Sequence, residues 1–387
     1  MSNTLAKNEQ RHILIVTGDV SADPYAASLA KACRKISPSL VISGMGGERM
    51  KEAGVKLVVD STPLSVVGFV EVLGKWKVLK EAFQRLREFI KINKPDIVIL
   101  LDFPGFNLRL AKFIKKENIP ILYYIPPQVW AWGRNRVKKI ARLMNLVAVI
   151  FPFEKEIYEK EGVRTEYVGH PLFELLKREK KKGIRKRPII GLFPGSRENE
   201  VKKILPIMLK SAKLIRKEKK VDFLLAHAKG VKKKTIEALT SRVSVPVKIL
   251  SGSSLEIIKS ADLLLIASGT ATLEAAYFQT PMIIIYKVNF FTYLLAKILI
   301  KVPWIGLVNL VAGKKIVEEF IQYRAKPKKI ASLANTLLTN KEKISEMRKE
   351  LGKISEKFNN LKTSEKVAKL TFQIMQKSLD KGVKNVC

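Results

Sequence analysis

Residues 263–276 read LLLIASGTATLEAA: an apolar run stops at Ser268-Gly269-Thr270 and a helical pattern begins. The start of a helix leaves backbone N–H groups without partners. With two hydroxyls and the positive end of the helix dipole beside them, those groups suit an anionic phosphate. Glu274 follows about one turn beyond Thr270, where its carboxylate can accept from both hydroxyls of a ribose. These residue types describe a nucleotide held without a Walker motif. A Thr-capped helix carrying a solvated Glu gives the same string.

A second turn of this kind is Gly191-Leu192-Phe193-Pro194-Gly195-Ser196-Arg197, followed by Glu198, Asn199, Glu200 and a helical pattern. Arg197 adds a guanidinium, which binds a diphosphate bidentately and stabilises a departing nucleotide diphosphate. The plainer reading is a loop arginine that caps carbonyls. Two such turns in one segment favour the anion site, with Gly195, Ser196, Arg197, Ser268, Gly269, Thr270 and Glu274 as its candidates.

The chain opens on a third turn, Gly18-Asp19-Val20-Ser21-Ala22-Asp23, which lacks the G-x-G-x-x-G spacing of a dinucleotide fold. Its two aspartates repel phosphate, so it suits the hydroxyls of a sugar or acceptor, and Ser21 is a candidate substrate-binding group. Ser21 or Asp23 serving only as a helix cap is the alternative. Asp102-Phe103-Pro104-Gly105-Phe106-Asn107 ends another apolar run. Asp102 is positioned to act as general base on an acceptor hydroxyl, with Asn107 a further substrate-binding candidate. An Asp that caps the helix at Leu108 reads equally well. Trp130 and Trp132 can wall a sugar or acyl site or simply pack, and Arg134, Arg136, Lys138 and Lys139 can meet phosphate or lipid headgroups. His170 reads as structural, and no cluster of His, Cys or carboxylates has metal-ligand spacing.

The elements that must hold these groups alternate. Apolar strand candidates at 13–17, 40–43, 97–102, 121–125 and 146–151 are separated by helical periodicity such as 77–92 and 108–117. Alternation restarts at 189–193, 221–226, 247–250, 263–267 and 282–286. The pattern predicts parallel sheets built from βαβ units, with ligands at the carboxyl ends of the strands. The basic run KREKKKGIRKR at 177–187 has no apolar face and is read as a linker. The expected domains are therefore 1–176 and 188–325, facing a cleft. A polar helical segment, 326–387, packs across them.

The chain has 387 residues, 47% of them apolar, and a mean hydropathy near zero, which fits a two-domain globular protein and excludes a multispan membrane protein. The apolar region 290–310 is interrupted by Lys297, Lys301 and Pro303, a poor membrane span. Two cysteines, Cys33 and Cys387, offer no disulfide framework and point to a reducing cytoplasm. The formal net charge of +37 implies attraction to polyanions: nucleic acid, anionic lipid or phosphorylated substrates. A lysine-rich proteome explains the same excess.

Taken in order, VVGFVEVL (66–73), VWAWGRNRV (129–137), VGHPL (168–172), LFPGSRENEV (192–201), SGTATLEAAYFQTPMIIIY (268–286) and VNLVAGKKIVEEFIQ (308–322) resemble the lipid-A-disaccharide synthases. These are inverting glycosyltransferases of the GT-B type, an α/β fold of two doubly wound, Rossmann-like domains. The resemblance implies transfer from a UDP-activated, diacylated glucosamine to a diacylated glucosamine 1-phosphate, without metal or other cofactor. It implies that Ser196, Arg197, Ser268, Gly269, Thr270 and Glu274 hold UDP, and that Asn309 and Gln322 line the same pocket. It also gives the charge a purpose, since both substrates are anionic lipids. The enzyme would lie on the cytoplasmic face of the inner membrane, with the apolar stretches 66–72 and 290–299 dipping into the interface.

The family's usual opening turn, G-E-A-S-G-D, is here Gly18-Asp19-Val20-Ser21-Ala22-Asp23, and a second aspartate found in some members after Asp102 is Gly105. A UDP-N-acetylhexosamine transferase or epimerase of the same form is the rival enzyme reading. A nucleic-acid-binding protein is suggested by charge alone and lacks any recognisable module, so no nucleic-acid partner is expected.

Overall fold

The computed structural model describes residues 10–19, 21–62, 72–129, 135–177, 187–228, 230–289, 303–359 and 361–384. Trp130, Trp132, Arg134, Cys387, residues 178–186 of the basic run, and most of the stretches 66–72 and 290–299 lie outside them.

The chain forms two compact units, Met1–Pro171 with Leu361–Cys387, and Leu172–Asn360. In the first, β1 (His12–Val16), β2 (Val41–Gly46), β3 (Lys56–Asp60), β4 (Ile97–Leu101), β5 (Ile121–Tyr124), β6 (Leu146–Val149) and β7 (Thr165–Tyr167) form a sheet in the order β3-β2-β1-β4-β5-β6-β7. Its strand pairings among the described residues are all parallel. In the second, β8 (Ile189–Phe193), β9 (Asp222–His227), β10 (Val247–Ser251), β11 (Leu263–Ala267), β12 (Met282–Tyr286) and β13 (Glu319–Ile321) form a parallel sheet ordered β10-β9-β8-β11-β12-β13.

The central strands are continuous apolar runs because helices cover both faces of such a sheet. Ile97–Leu101 and Leu263–Ala267 are buried at every position. In the first unit the helices Val72–Asn93, Pro104–Lys116 and Asn135–Leu143 pack on the face that carries Leu14, Val16, Val98, Leu100 and Tyr123. In the second, Glu198–Glu218 and Pro327–Thr339 cover Leu192, Leu265 and Ile283. The core of each unit thus fixes where its strands end.

The chain passes between units at 171/172 and 360/361, ahead of the basic run at 177–187. Phe173 explains the earlier change-over. Its ring stacks on Phe358 at 4.6 Å and meets Tyr277 edge-on at 5.8 Å, both within the second unit. The C-terminal helices are shared out: Pro327–Thr339 and Lys341–Asn359 belong to the second unit, while Thr363–Lys384 packs on Asp23–Ile36 in the first.

Candidate active site

In each sheet the order reverses direction at one point, and in each case the turns singled out by residue type flank it. β8 has β9 on one side and β11 on the other. The Gly195-Ser196-Arg197 turn follows β8 and the Ser268-Gly269-Thr270 turn follows β11. The register Ile266↔Phe193 brings the two turns side by side at the same end of the sheet. Adjacent strands lie roughly 4.8 Å apart, so the turns are within reach of one diphosphate. This is the crevice where ligands of open α/β sheets bind.

Gly195 has φ +112, a region closed to most side chains, and a Cβ built there would lie 2.6 Å from Glu200 Oε2. The glycine is therefore required twice over. Gly195→Ala is expected to lower stability by about 1–3 kcal/mol, and a urea midpoint equal to that of the parent would contradict it. Arg197 is the N-cap residue of Glu198–Glu218, and its side chain is 81% exposed with an ion pair to Glu200 at 2.9 Å. The first N–H of the turn to fold back is that of Glu200, to Arg197 O.

The second turn is built differently. Ser268 donates its hydroxyl to Ile305 O at 2.9 Å, so its Oγ–H is committed within the protein. Hydrogen bonding inside the turn starts at Thr272, whose N–H reaches Gly269 O at 3.1 Å. Among the described residues the N–H groups of Gly269, Thr270 and Ala271 have no acceptor. Thr270 is exposed with no side-chain capping bond, and a Cβ on Gly269 would meet nothing within 4 Å. Glu274 is half-buried, one turn along. No described side chain bonds to it, and burial alone pushes its carboxyl up to about 7.

Asn309 and Gln322 are both held by hydrogen bonds within the second unit. Asn309 is fully buried; Nδ2 donates to Val317 O (3.0 Å) and Glu319 Oε1 (2.7 Å), and Oδ1 accepts from Ile316 N–H (2.8 Å) and Val317 N–H (3.0 Å). All four hydrogen-bonding positions of the amide are filled, which leaves no capacity for a ligand. Gln322, buried and at φ +50, pairs its amide with Val288: Oε1 accepts from the N–H at 2.9 Å and Nε2 donates to the carbonyl at 3.3 Å.

The first unit repeats the arrangement with carboxylates. Its order reverses between β1 and β4, and the Asp19 and Asp102 turns follow those two strands. Asp102 and Phe103 both hold positive φ, +50 and +46, strain of roughly 1–3 kcal/mol each. Three donations offset it, each worth about 0.5–1.5 kcal/mol. Asn107 Nδ2 gives to Leu101 O (3.2 Å) and Asp102 O (2.7 Å), and Tyr123 Oη gives to Asp102 O (3.1 Å). Phe103 stacks on Phe106 and lies against Gly18, where a Cβ would be 2.4 Å from the ring. Asn107 is thus a buried brace for the Asp102 backbone. Burial, together with the Asp19 carboxylate, raises the Asp102 carboxyl to about 6.

Ser21 donates both its N–H and its hydroxyl to Asp19 Oδ1, each at 3.0 Å. Asp23 is buried and accepts from Gly47 N–H (2.7 Å) and Arg49 N–H (2.9 Å), so it caps the helix Glu48–Glu52 and not its own. His170 is buried between Tyr25 and Phe151, and burial pushes its imidazole down to about 3, neutral at working pH. His227 has no recognisable context in the sequence; its ring bonds Ser251 Oγ and Val231 O and so anchors the loop whose Gly230 lies against Ser196. Glu319 is likewise unmarked in the sequence, because both its burial and its place on β13 become visible only in the structure.

Two parallel α/β sheets, each with its polar turns at the switch point, define a glycosyltransferase fold of the GT-B type. Two solved structures share it: an S. aureus MnaA–UDP co-structure (TM-score 0.66, 12% identity, 92% of this chain and 95% of that one) and a UDP-GlcNAc 2-epimerase from Neisseria meningitidis bound to UDP-GlcNAc (TM-score 0.61, 12% identity, 94% and 100%). The family model described as lipid-A-disaccharide synthetase matches residues 13–374. The lipid-A-disaccharide synthase of Trichlorobacter lovleyi is 38% identical over 97% of this chain and 100% of its own length. The chain belongs to the lipid-A-disaccharide synthase family and is a glycosyltransferase.

Proposed function

We propose that the enzyme joins UDP-2,3-diacylglucosamine to 2,3-diacylglucosamine 1-phosphate, giving the β-1,6-linked disaccharide 1-phosphate and UDP. The observation that carries the donor half is the pair of turns, Gly195–Arg197 and Ser268–Thr270, on neighbouring strands at the switch point of one sheet. The acceptor hydroxyl oxygen attacks the anomeric carbon as the bond from that carbon to the β-phosphate oxygen breaks. Its proton passes to Asp102. A single displacement of this kind inverts the anomeric centre. The charge that develops on UDP is taken up by Arg197 and the N–H groups of the two turns, which perform the role a metal has in other transferases.

Glu274 completes the donor site by accepting from the ribose hydroxyls, while Asn309 and Gln322 act from behind by shaping the backbone. On this reading the protein works at the cytoplasmic face of the inner membrane, drawn to anionic lipid by a net charge of +37. No helix among the described residues is long and apolar enough to cross a membrane.

A thin-layer assay with labelled phosphorylated monosaccharide lipid and its UDP-activated partner tests the reaction. Disaccharide and UDP should appear together. Turnover only of a soluble UDP-N-acetylhexosamine would replace the reading with the rival one.

Glu274 supplies a pH test of the donor site. Ribose hydroxyls donate to the ionised carboxylate, so UDP affinity should weaken as pH falls through about 7, and binding should release a proton. Glu274→Gln should bind weakly with no such dependence. Titration calorimetry at about pH 6 and about pH 8 reads both effects; a flat wild-type profile would remove Glu274 from the site.

A further inference from the structure

Glu319 is a buried carboxylate bonded to the backbone segment that meets the second donor turn. Oε2 accepts from Ile305 N–H at 3.0 Å, and Oε1 accepts from Gly306 N–H at 3.0 Å and from Asn309 Nδ2 at 2.7 Å. Gly306 is the N-cap of Leu307–Ala312, and a Cβ there would lie 2.9 Å from Glu319 Oε1. The carboxylate therefore grips the 305–306 backbone from one side. On the other side Ile305 O receives the hydroxyl of Ser268, the first residue of the second donor turn. The path runs Asn309–Glu319–Ile305–Ser268 without a break.

Burying a carboxylate costs several kcal/mol unless donors surround it, and three N–H donors are what this one has. Charge-assisted bonds of this type are short and directional, so they fix the 305–306 peptide more tightly than a neutral strut would. The position of Ile305 O in turn decides where the Ser268 hydroxyl, and with it the start of the turn, is held. Resting on the donor-site reading above, we infer that Glu319 is a positioning residue for the UDP site, acting through Ile305 on the Ser268-Gly269-Thr270 turn.

Glu319→Gln keeps the shape but turns an NH₂ toward at least one of the three donors. Ser268→Ala removes the far end of the path. Each variant should weaken UDP binding on the order of tenfold, measured by calorimetry, and raise the donor KM while leaving the acceptor KM unchanged. Because both act through one link, the double variant should bind no more weakly than the worse single one. Amide exchange at Ile305 and Gly306 provides a second reading that needs no Glu319 variant: Ser268→Ala should speed it relative to the parent. Additive losses in affinity, unchanged UDP binding by Glu319→Gln, or unaltered exchange in Ser268→Ala would each overturn the inference. Wild-type protein that fails to bind UDP would instead sink the donor-site reading, and this inference with it.

Discussion

Arg197→Ala is expected to lose at least about 100-fold in kcat/KM while remaining as stable as the parent. The argument rests on where the side chain lies. Arg197 is the N-cap of its helix by backbone position only; it makes no side-chain cap, is 81% exposed, and forms an ion pair with Glu200. An exposed pair of this sort contributes about 0–1 kcal/mol, so its removal leaves the fold in place. Its chemical effect is larger because charge grows on the departing diphosphate in the transition state, and a guanidinium meets two phosphate oxygens at once. Arg197→Lys should recover part of the rate and not all of it, since a point charge lacks the paired donors. The release of UDP from the two lipid substrates, followed beside thermal unfolding, checks both halves. Near wild-type turnover in Arg197→Ala would remove the residue from the reaction. A large loss of stability would show that the exposed arginine has a structural role instead.

The legible part of the fold was its interior. β1, β4, β5, β8, β11 and β12 announce themselves as apolar runs because helices cover both their faces, and the runs match the strands to within a residue or two. β3, β7 and β13 do not stand out in the sequence. All three are the outermost strands of their sheets or nearly featureless in sequence, and β3 shows why: its burial alternates poorly and both ends are exposed. A strand paired on one side only needs fewer apolar residues, and three to five residues carry too little pattern to detect.

The site divides in the same way. Gly195 and Arg197, Ser268–Thr270 and Glu274 were legible because a strand-turn-helix junction has a compositional signature. Two other residues were legible only as names. Nothing in SGT says that Ser268 gives its hydroxyl to Ile305, and nothing in VNL says that Asn309 fills all its bonds internally, because both partners are set by tertiary contacts. The positive φ values at Asp102, Phe103 and Gln322 are invisible for the same reason: those residue types avoid that region unless the surrounding packing holds them there. Asn107 marks the point well. Its place in the D-F-P-G-F-N string is visible, but the direction of its side-chain N–H groups, back onto the carbonyls of Leu101 and Asp102, comes from the helix that carries it.

Asp102→Asn is expected to lose about 10²- to 10⁴-fold in kcat/KM, the range for a removed general base, and to be at least as stable as the parent at neutral pH. The stability half follows from the sign of the shift. Burial and the Asp19 carboxylate hold the folded-state pKa near 6, above the unfolded value, so the folded protein retains the proton longer. Stability contributed by the protonated form is therefore lost as pH rises from the unfolded carboxylate range through about 6, and the ionised group strains the fold above that. Replacing it by a neutral amide removes that strain, at a site whose backbone is already held in an unfavourable region by Asn107 and Tyr123. The same shift sets the rate profile. A base must be ionised to accept the acceptor's proton, so kcat/KM should fall below about pH 6 and level off above it. Asp19→Asn should move that limb to lower pH by removing the like charge, with the plateau largely retained. A limb that stays in place in Asp19→Asn would mean that another group titrates there, and an undiminished rate in Asp102→Asn would move the base elsewhere in the chain.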